Sequence, residues 1–389
     1  MELPASEVTI KKKIYFENLD ALRFICFLTV FLYHSFYTEK IEILNNSTYH
    51  FIKKKIFYNG DLGVNFFFVL SGFLITYLLI QEKIIRVGAI AITDFWKRRI
   101  LRIWPLYYLC VFFGFIIFPW LKTTFGGTPN ETANPIAYLF FLNNLDVIKS
   151  GLPDASILGV LWSIAIEEQF YLIWPIILYI FPIKKFWIPF SVIILVSLLF
   201  RAYHNSLLIN NFHTLSCISD MATGGLGAWL ICVSNKFRSY IESMKKPYIL
   251  IIYILFFVVF FFRAPLFFGN YYPRIIERLL ISILMIHIIL EQCFATNSFF
   301  KLKRLKLFSY LGTISYGLYC LHFLGILIAI TLLKKVGLDQ TLFHIVIIQT
   351  ILAFVFTIII SMISYRVLEK PFLRLKNKLS IIETQKENN

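Results

Sequence analysis

Ten long apolar runs, separated by polar connections, limit what this chain can fold into more than any other feature of its sequence. A helix needs about 20 mostly apolar residues to cross a membrane, and every backbone N–H and C=O inside a bilayer must be paired within the protein. We therefore predict an all-α, polytopic membrane protein with about ten transmembrane helices. The predicted helices cover residues 21–37, 62–80, 100–119, 157–181, 186–203, 215–233, 247–268, 276–295, 308–333 and 342–365.

The composition agrees with this fold class. Of the 389 residues, 58% are hydrophobic and only 15% are charged, whereas about a quarter of the residues in a soluble domain are charged. The net charge of +16 does not indicate binding to nucleic acid, because the Lys and Arg residues lie between the apolar runs, where they set membrane orientation. The six cysteines contain no CxxC pair, so we predict neither a disulfide framework nor a zinc site.

The connections between the runs predict the orientation and the domains. Lys and Arg are more frequent in the segments that face the cytoplasm if the N-terminus is cytoplasmic, so we predict that both termini are cytoplasmic. Residues 1–18 are a cytoplasmic segment, 19–375 the transmembrane domain, and 376–389 a polar tail that we expect to be disordered. The connection at 120–156 is rich in Gly, Pro and Asn, which predicts an irregular loop long enough to be functional.

The first run carries ionisable side chains that a membrane segment would normally exclude. Asp20 and Arg23 lie near its start and His34 near its end, and such residues mark functional sites because they are costly in a bilayer. At about 3.6 residues per turn and 1.5 Å per residue, Arg23 and His34 share a face and lie about 16 Å apart. The predicted orientation places Arg23 near the cytoplasm and His34 towards the outer face, where an imidazole is suited to act as a general base.

A basic cluster leads into the third run and is a candidate site for a phosphate-bearing donor. Arg98 and Arg102 are four residues apart and share a helix face, with Arg99 beside them. Guanidinium groups bind phosphate through two hydrogen bonds, which suits a nucleotide-type donor from the cytosol. Two alternatives remain open, an orientation signal and a site for anionic lipid.

Two further pairs are candidate site residues. In the second run, Ser71 and Gly72 either allow close helix packing or serve a substrate, with Gly72 clearing space and Ser71 offering a hydroxyl. In the fourth run, Glu167 and Glu168 are adjacent carboxylates whose burial is costly. Because neighbouring helix residues point about 100° apart, at most one of the two faces a given site. We predict that this carboxylate orients the histidine or binds the substrate; an ion pair with a distant arginine is the structural alternative.

The signals near the C-terminus are weaker. His322 lies among aromatic residues, which is more typical of a hydrogen-bonded packing residue than of a catalyst. Arg366 and Glu369 are three residues apart, so we predict that they pair and clamp the end of the last transmembrane helix. The histidines lack metal-ligand spacing, and no metal site is predicted.

In their order along the chain, these stretches resemble the membrane acyltransferase-3 family, the integral membrane O-acyltransferases that modify glycans of the bacterial cell envelope. The resemblance covers about residues 14–375, and one departure is that Asn65 stands where the family often has an acid. The matching stretches are Arg23 to His34, Asn65 to Phe73, Arg98-Arg99 with Arg102, Trp162-Ser163 through Glu167-Glu168 to Tyr171, Ile314-Ser315-Tyr316 with His322, and Tyr365-Arg366 through Glu369 to Phe372.

The resemblance implies transfer of an acyl group, most simply acetyl, from cytosolic acyl-coenzyme A to a hydroxyl of a saccharide or lipid-linked glycan. It places the protein in the bacterial cytoplasmic (inner) membrane, among lipids, with acyl-coenzyme A as a substrate and no bound cofactor. A partner protein or a homo-oligomer is left open. The implied catalytic residues are His34, Arg23, Glu167 and Glu168; the donor-binding residues are Arg98, Arg99, Arg102, Ser71 and Gly72; and the acceptor-side or supporting residues are Asp20, Trp162, His322, Arg366 and Glu369.

Two rival functions remain at this point. In the first, the acyl group is carried covalently on His34 between donor and acceptor. In the second, the protein is a carrier or flippase for a lipid-linked saccharide, and the buried charges line its pathway. Release of coenzyme A distinguishes an acyltransferase from a carrier.

Overall fold

The structure is a computed structural model that describes residues 12–269, 271–379 and 382–383. Apart from two short strands it is helical, which confirms the predicted all-α class. The α-helices are α1 Glu17–Ser35, α2 Ile41–Leu44, α3 Ser47–Phe51, α4 Leu62–Ile85, α5 Ile92–Phe112, α6 Phe118–Thr124, α7 Pro135–Leu139, α8 Asn143–Ser150, α9 Ser156–Gly159, α10 Leu161–Ile180, α11 Trp187–Tyr203, α12 Leu207–Phe212, α13 Thr214–Val233, α14 Asn235–Glu242, α15 Lys246–Arg263, α16 Tyr271–Phe294, α17 Lys306–Thr313, α18 Ser315–Lys335, α19 Thr350–Ser364 and α20 Lys370–Lys378.

Short π-helical and 3₁₀-helical turns extend several of these helices. The π-helical turn Phe113–Ile117 joins α5 to α6, so that the helix runs without a break from Ile92 to Thr124. The other π-helical turns are Ile52–Ile56, Ala264–Phe268, His344–Gln349 and Tyr365–Glu369, and the 3₁₀ turns are Tyr58–Asp61, Ile183–Lys185 and Leu302–Arg304.

Within the described residues, 8 helices are long and apolar enough to cross a membrane. They correspond to eight of the ten predicted runs. The other two runs also form helices, α1 and α16, but both carry ionisable side chains that lower their apolar character. These side chains pair inside the protein, for example Arg23 with Asp20 in α1 and Arg278 with Asp220 of α13.

Glycines bring two helix pairs into backbone contact, α4 with α13 and α1 with α17. A Cβ atom on Gly72 of α4 would lie 2.0 Å from the carbonyl oxygen of Met221 in α13, and one on Gly224 would lie 2.0 Å from that of Val69. A Cβ atom on Gly312 of α17 would lie 1.8 Å from the carbonyl oxygen of Asp20. Small residues permit such close packing between membrane helices. The three glycines thus hold α4 against α13 and α1 against α17.

The two described ends of the chain lie together on one side of the molecule. Strand β1 (Lys12–Lys13) pairs in parallel with strand β2 (Ile382–Glu383). Between the last transmembrane helix and β2 lies α20, whose final turns include Lys376. The first residues of the predicted tail, 376–378, thus belong to α20, which packs against α5. Residues 380–381 and 384–389 lie outside the described part of the chain, and the disorder predicted for the tail stays a prediction.

The connection at 120–156 is more regular than predicted. It contains α7 and α8, and the carboxylate of Glu131 accepts hydrogen bonds from the backbone N–H groups of Asp154 and Ala155. Lys122 pairs with Asp154 at 2.6 Å. Hydrogen bonds from polar side chains thus fold a segment whose Gly and Pro content predicts an irregular loop.

Candidate active site

A cavity of about 1090 Å³ opens on the side where the described ends of the chain meet. Its walls come from α1, α4, α5, α10, α17, α18 and α20, which are distant in sequence but adjacent in the fold. Eight of its lining residues are cations and four are acids; these are Arg23, Arg98, Arg99, Arg102, Lys306, Lys370, Arg374 and Lys376, and Glu17, Asp20, Glu82 and Glu167. The cavity therefore carries an excess of positive charge inside a largely apolar protein.

Three of the cations are neutralised by neighbouring carboxylates. Arg23 pairs with Asp20 at 2.5 Å, and Lys306 pairs with Glu17 at 3.3 Å. Arg98 pairs with Glu82 at 3.1 Å and donates a second hydrogen bond, of 3.0 Å, to the carbonyl oxygen of Leu379. These pairs hold the charged groups of the three cations at the cavity wall.

The remaining five cations form no ion pair with any residue in the described part of the chain. They are Arg99, Arg102, Lys370, Arg374 and Lys376. The guanidinium of Arg99 lies between the rings of Phe95 and Tyr171, at 5.3 and 5.4 Å from their centroids. This contact orients the guanidinium group without cancelling its charge, so the group is available to an anionic ligand.

Asp20 is buried and satisfied from two sides. Besides Arg23, it accepts a hydrogen bond from the phenol of Tyr15, which lines the same cavity. Burial, together with this hydrogen bond, raises the pKa of Tyr15. Tyr15 therefore stays protonated and holds Asp20 in place. Asp20 in turn fixes the position of the Arg23 guanidinium group, which donates a hydrogen bond to it.

The structure distinguishes the two adjacent glutamates. Glu167 lines the cavity and accepts hydrogen bonds from Ser71 at 3.0 Å and from Tyr171 at 2.6 Å. Glu168 points instead towards α5, where it accepts a hydrogen bond of 2.9 Å from the indole of Trp104. Glu167 is thus the carboxylate at the cavity, and neither glutamate is hydrogen-bonded to a histidine.

The histidine partner of His34 is His322. Nδ1 of His322 lies 2.7 Å from the carbonyl oxygen of Tyr319 and must carry the proton, because a carbonyl only accepts. In the neutral ring Nε2 of His322 is then an acceptor, and it lies 3.1 Å from Nδ1 of His34. The proton of this second bond belongs to His34, so the lone pair of His34 is on its Nε2.

The cavity approaches this histidine pair from the side where the ends meet. Its lining includes Ser163 and Tyr319, whose hydroxyl oxygens are 2.8 Å apart, as well as Phe67. Tyr319 is one helical turn from His322, and their ring centroids are 6.1 Å apart. His34 itself is half-buried and is not among the lining residues. One turn of α18 thus separates the described cavity from the histidine pair.

The remaining predicted residues lie away from the cavity or have packing roles. Gly72 faces Met221, because it points about 100° away from Ser71 on the same helix. Trp162 packs its ring edge against Phe212, with the centroids 4.8 Å apart. Gly72 thus packs α4 closely on α13, which is the first of the two alternatives for this residue; a substrate role for Gly72 stays a prediction.

The predicted pair of Arg366 and Glu369 is wrong. Both residues lie in the π-helical turn Tyr365–Glu369, in which the wider winding takes residues three apart off a common face. Arg366 is exposed, whereas Glu369 is buried and accepts a hydrogen bond of 3.3 Å from Ser364.

Several cavity residues are missing from the sequence-based prediction. Four of them are the cations Lys306, Lys370, Arg374 and Lys376, and the others include Tyr15 and Tyr171. A signal for α20 was present, since Lys370 and Arg374 are four residues apart in a segment that also contains apolar residues. Such spacing predicts an amphipathic helix with a basic face.

The chain matches a known protein family over most of its length. The family model described as an acyltransferase domain matches residues 16–366. The chain belongs to this acyltransferase family, and its helices make it a membrane member. None of the solved structures matches the chain significantly.

Three curated relatives share this similarity. The O-acetyltransferase OatA of Staphylococcus aureus (strain NCTC 8325 / PS 47) is 33% identical over 173 residues, which are 42% of this chain and 25% of the relative. The putative peptidoglycan O-acetyltransferase YrhL of Bacillus subtilis (strain 168) is 29% identical over 379 residues, 92% of this chain and 55% of the relative. A putative O-acetyltransferase of Staphylococcus aureus (strain COL) is 28% identical over 388 residues, which are 93% of this chain and 58% of the relative. The chain thus spans little more than half of these relatives at most.

Proposed function

We propose that this protein is an O-acyltransferase that moves an acyl group, most simply acetyl, from acyl-coenzyme A to a hydroxyl of a cell-envelope saccharide. The observation that carries the proposal is the arrangement along α1. Its first turns place Arg23 in a cavity with unpaired cations. Three turns further on, His34 is held by His322 with a free lone pair on Nε2.

The donor end fits a nucleotide thioester. Arg99 and Arg102 have no ion-pair partner in the described part of the chain, and guanidinium groups bind phosphate through two parallel hydrogen bonds. Elsewhere the cavity is lined by the uncharged side chains of Phe67, Ser163 and Tyr319, which suit an uncharged pantetheine arm. In this proposal Arg23 lies beside that arm, and Glu167, with Ser71 and Tyr171, lines its path.

The transfer itself follows from the tautomer of His34. As the acceptor hydroxyl oxygen forms its bond to the thioester carbon, Nε2 of His34 takes the hydroxyl proton. The C–S bond then breaks, and the departing coenzyme A thiolate receives that proton, so the products are an ester and a free thiol. General-base assistance of this kind contributes about 10²–10⁴ in rate, and His322 acts as a positioning residue that keeps Nδ1 of His34 protonated.

The names of the relatives support the choice of acyl group and acceptor. All three are O-acetyltransferases by name, and the Bacillus subtilis relative is described as acting on peptidoglycan. A bacterial envelope glycan is accordingly the proposed acceptor, and the bacterial cytoplasmic membrane the proposed location, with His34 towards its outer face.

The experiment measures the O-acetyl content of envelope glycans by proton NMR. Cells from which the gene has been deleted are complemented with the wild-type protein or with a variant, and the strains are compared. We expect the wild-type protein to restore O-acetyl groups and His34→Ala to restore none, at equal amounts of protein in the membrane. The matched control is Lys97→Gln, an exposed cation outside the cavity, which should behave as wild type. O-acetylation by His34→Ala at the wild-type level would contradict the proposal.

Purified protein separates the rival mechanisms. With acetyl-coenzyme A alone, a covalent mechanism would leave labelled acetyl on His34, whereas direct transfer leaves the protein unlabelled. A carrier for a lipid-linked saccharide would release no coenzyme A under any condition. His322→Gln should lower kcat with little change in the KM for the donor, because it disturbs the base and leaves the phosphate-binding cations intact.

A further inference from the structure

The buried end of α20 contains a cation with no counter-ion. Lys376 lines the cavity and is only 6% exposed. It forms no ion pair within the described part of the chain, and the guanidinium groups of four arginines repel its ammonium group: Arg23, Arg98, Arg99 and Arg102. A buried ammonium costs several kcal/mol unless an anion accompanies it, so this position is built for a negatively charged ligand.

Further cations on α20 belong to the same wall. Arg374 and Lys370 also line the cavity without an ion pair in the described residues, and both are exposed enough to follow a ligand. The helix is fixed where Arg98 of α5 donates a hydrogen bond of 3.0 Å to the carbonyl oxygen of Leu379. The cations of α20 therefore face those of α5 across one cavity, and they form a second anion subsite.

The two subsites lie at a similar depth on different walls. Helix α5 enters from the side where the described ends meet, so Arg98, one turn before Arg102, is closer to the mouth. Leu379 lies beside Arg98, and Lys376 is about one turn before Leu379, which brings Lys376 towards the level of Arg102. Arg102 is accordingly the arginine that repels the ammonium group of Lys376 most strongly.

Two facing walls match the two kinds of phosphate in coenzyme A. The diphosphate is attached to the pantetheine arm and the 3′-phosphate to another carbon of the same ribose, so the two groups project in different directions. A phosphate monoester carries a charge of about −1.5 to −2 at pH 7, which suits several cations converging from two helices. We infer that Lys376 and Arg374 bind the 3′-phosphate of the donor, so that the protein selects coenzyme A thioesters over those lacking this group; the inference rests on the proposed donor.

The test measures donor binding and needs no acceptor. The dissociation constants of acetyl-coenzyme A and 3′-dephospho-acetyl-coenzyme A are determined by calorimetry for the purified full chain in detergent. Wild type should bind acetyl-coenzyme A about tenfold to a hundredfold more tightly, the value of one or two charge-assisted hydrogen bonds. In Lys376→Met and Arg374→Gln this preference should shrink, because acetyl-coenzyme A binding weakens while binding of the dephospho analogue changes little.

Controls and outcomes keep the inference separate from the proposed function. Lys376→Arg should retain the preference, and Lys97→Gln should leave both constants unchanged. If wild type binds both donors equally, or if the α20 variants weaken both donors by the same factor, the inference is wrong and the proposed function stands. If wild type binds neither donor, the proposed donor itself is wrong. Since Arg374 is exposed, its variant remains informative if Lys376→Met fails to fold.

Discussion

Two clusters of charged residues in this protein differ in the balance between cations and acids. The first joins the ends of α4, α11, α13, α15 and α16 and contains equal numbers of cations and acids: Arg201, Arg263, Arg278, Asp61, Asp220 and Glu277. Arg263 contacts both Asp61, at 2.8 Å, and Glu277, and Arg278 contacts Asp220 at 2.7 Å. The amide of Asn65 adds a hydrogen bond of 3.2 Å to Asp220.

The second cluster is the cavity, where eight cations face four acids. The comparison shows what burial of charge means in each place. In the first cluster Arg263 and Arg278 pair with all three acids and connect helices, since an ion in a low-dielectric interior needs a partner. Arg201 has no hydrogen-bond partner within the described residues, so there only the sum of the charges is balanced. An unbalanced set is stable only if solvent or a ligand supplies the missing anion, and this imbalance is the reason for proposing a substrate site in the cavity.

The largest expected effect comes from breaking the balanced cluster. Asp220→Asn should lower the free energy of unfolding by about 3–5 kcal/mol, because it leaves Arg278 buried without its partner. The measurement is the midpoint of thermal unfolding in detergent. Asp220→Asn combined with Arg278→Gln should lose less than the sum of the single variants. A single variant that melts like wild type would show that this cluster does not stabilise the fold.

Removing a cation from the cavity should not destabilise the unliganded protein, in contrast to removing a partner from the first cluster. Coenzyme A at about 100 times its dissociation constant should stabilise the wild-type protein by about 2.7 kcal/mol. Arg102→Gln should reduce this gain at the same coenzyme A concentration, since a weaker site is less occupied. Without ligand, Arg102→Gln should melt at or above the wild-type temperature, because one repelling charge is gone. A fall in the unliganded melting temperature as large as that of Asp220→Asn would remove the distinction between the clusters.

The smallest effect is that of salt. Raising ionic strength from about 0.1 M to 1 M shortens the Debye length from about 10 Å to about 3 Å. Binding of acetyl-coenzyme A to the open cavity should weaken several-fold, whereas the melting temperature of the unliganded protein, set by buried pairs, should change little. S-acetylpantetheine, which lacks phosphate groups, is the control ligand and should bind independently of salt. Salt-independent binding of acetyl-coenzyme A would contradict the role of the cavity cations.

Local spacing in the sequence was enough to predict much of α1 and of the fold. Hydrophobic runs of transmembrane length were enough to predict the long helices, because a segment inside a bilayer must pair all its backbone groups within the protein. The helical period placed Arg23 and His34 on one face, and the structure keeps Arg23 in the cavity with Arg98, Arg99 and Arg102.

The residues whose surroundings could not be predicted depend on contacts between distant segments. His322 looked like a packing residue because its partner, His34, is 288 positions away. The choice between Glu167 and Glu168 depends on which neighbouring helix supplies Ser71 and which supplies Trp104. Lys376 was assigned to a disordered tail because only the packing of α20 against α5 turns a basic, polar segment into a cavity wall.

The packing of α1 also has a consequence for biosynthesis. Its neighbours include α17 and α18, and the cavity beside it is completed by α20, so α1 requires helices that are synthesised much later. At roughly 5–20 residues per second, α1 waits on the order of tens of seconds for these partners. During that time the pair between Asp20 and Arg23, which are on the same helix, lets the segment enter the bilayer without a net charge at that position. The contact that later lines the cavity thus first serves membrane insertion.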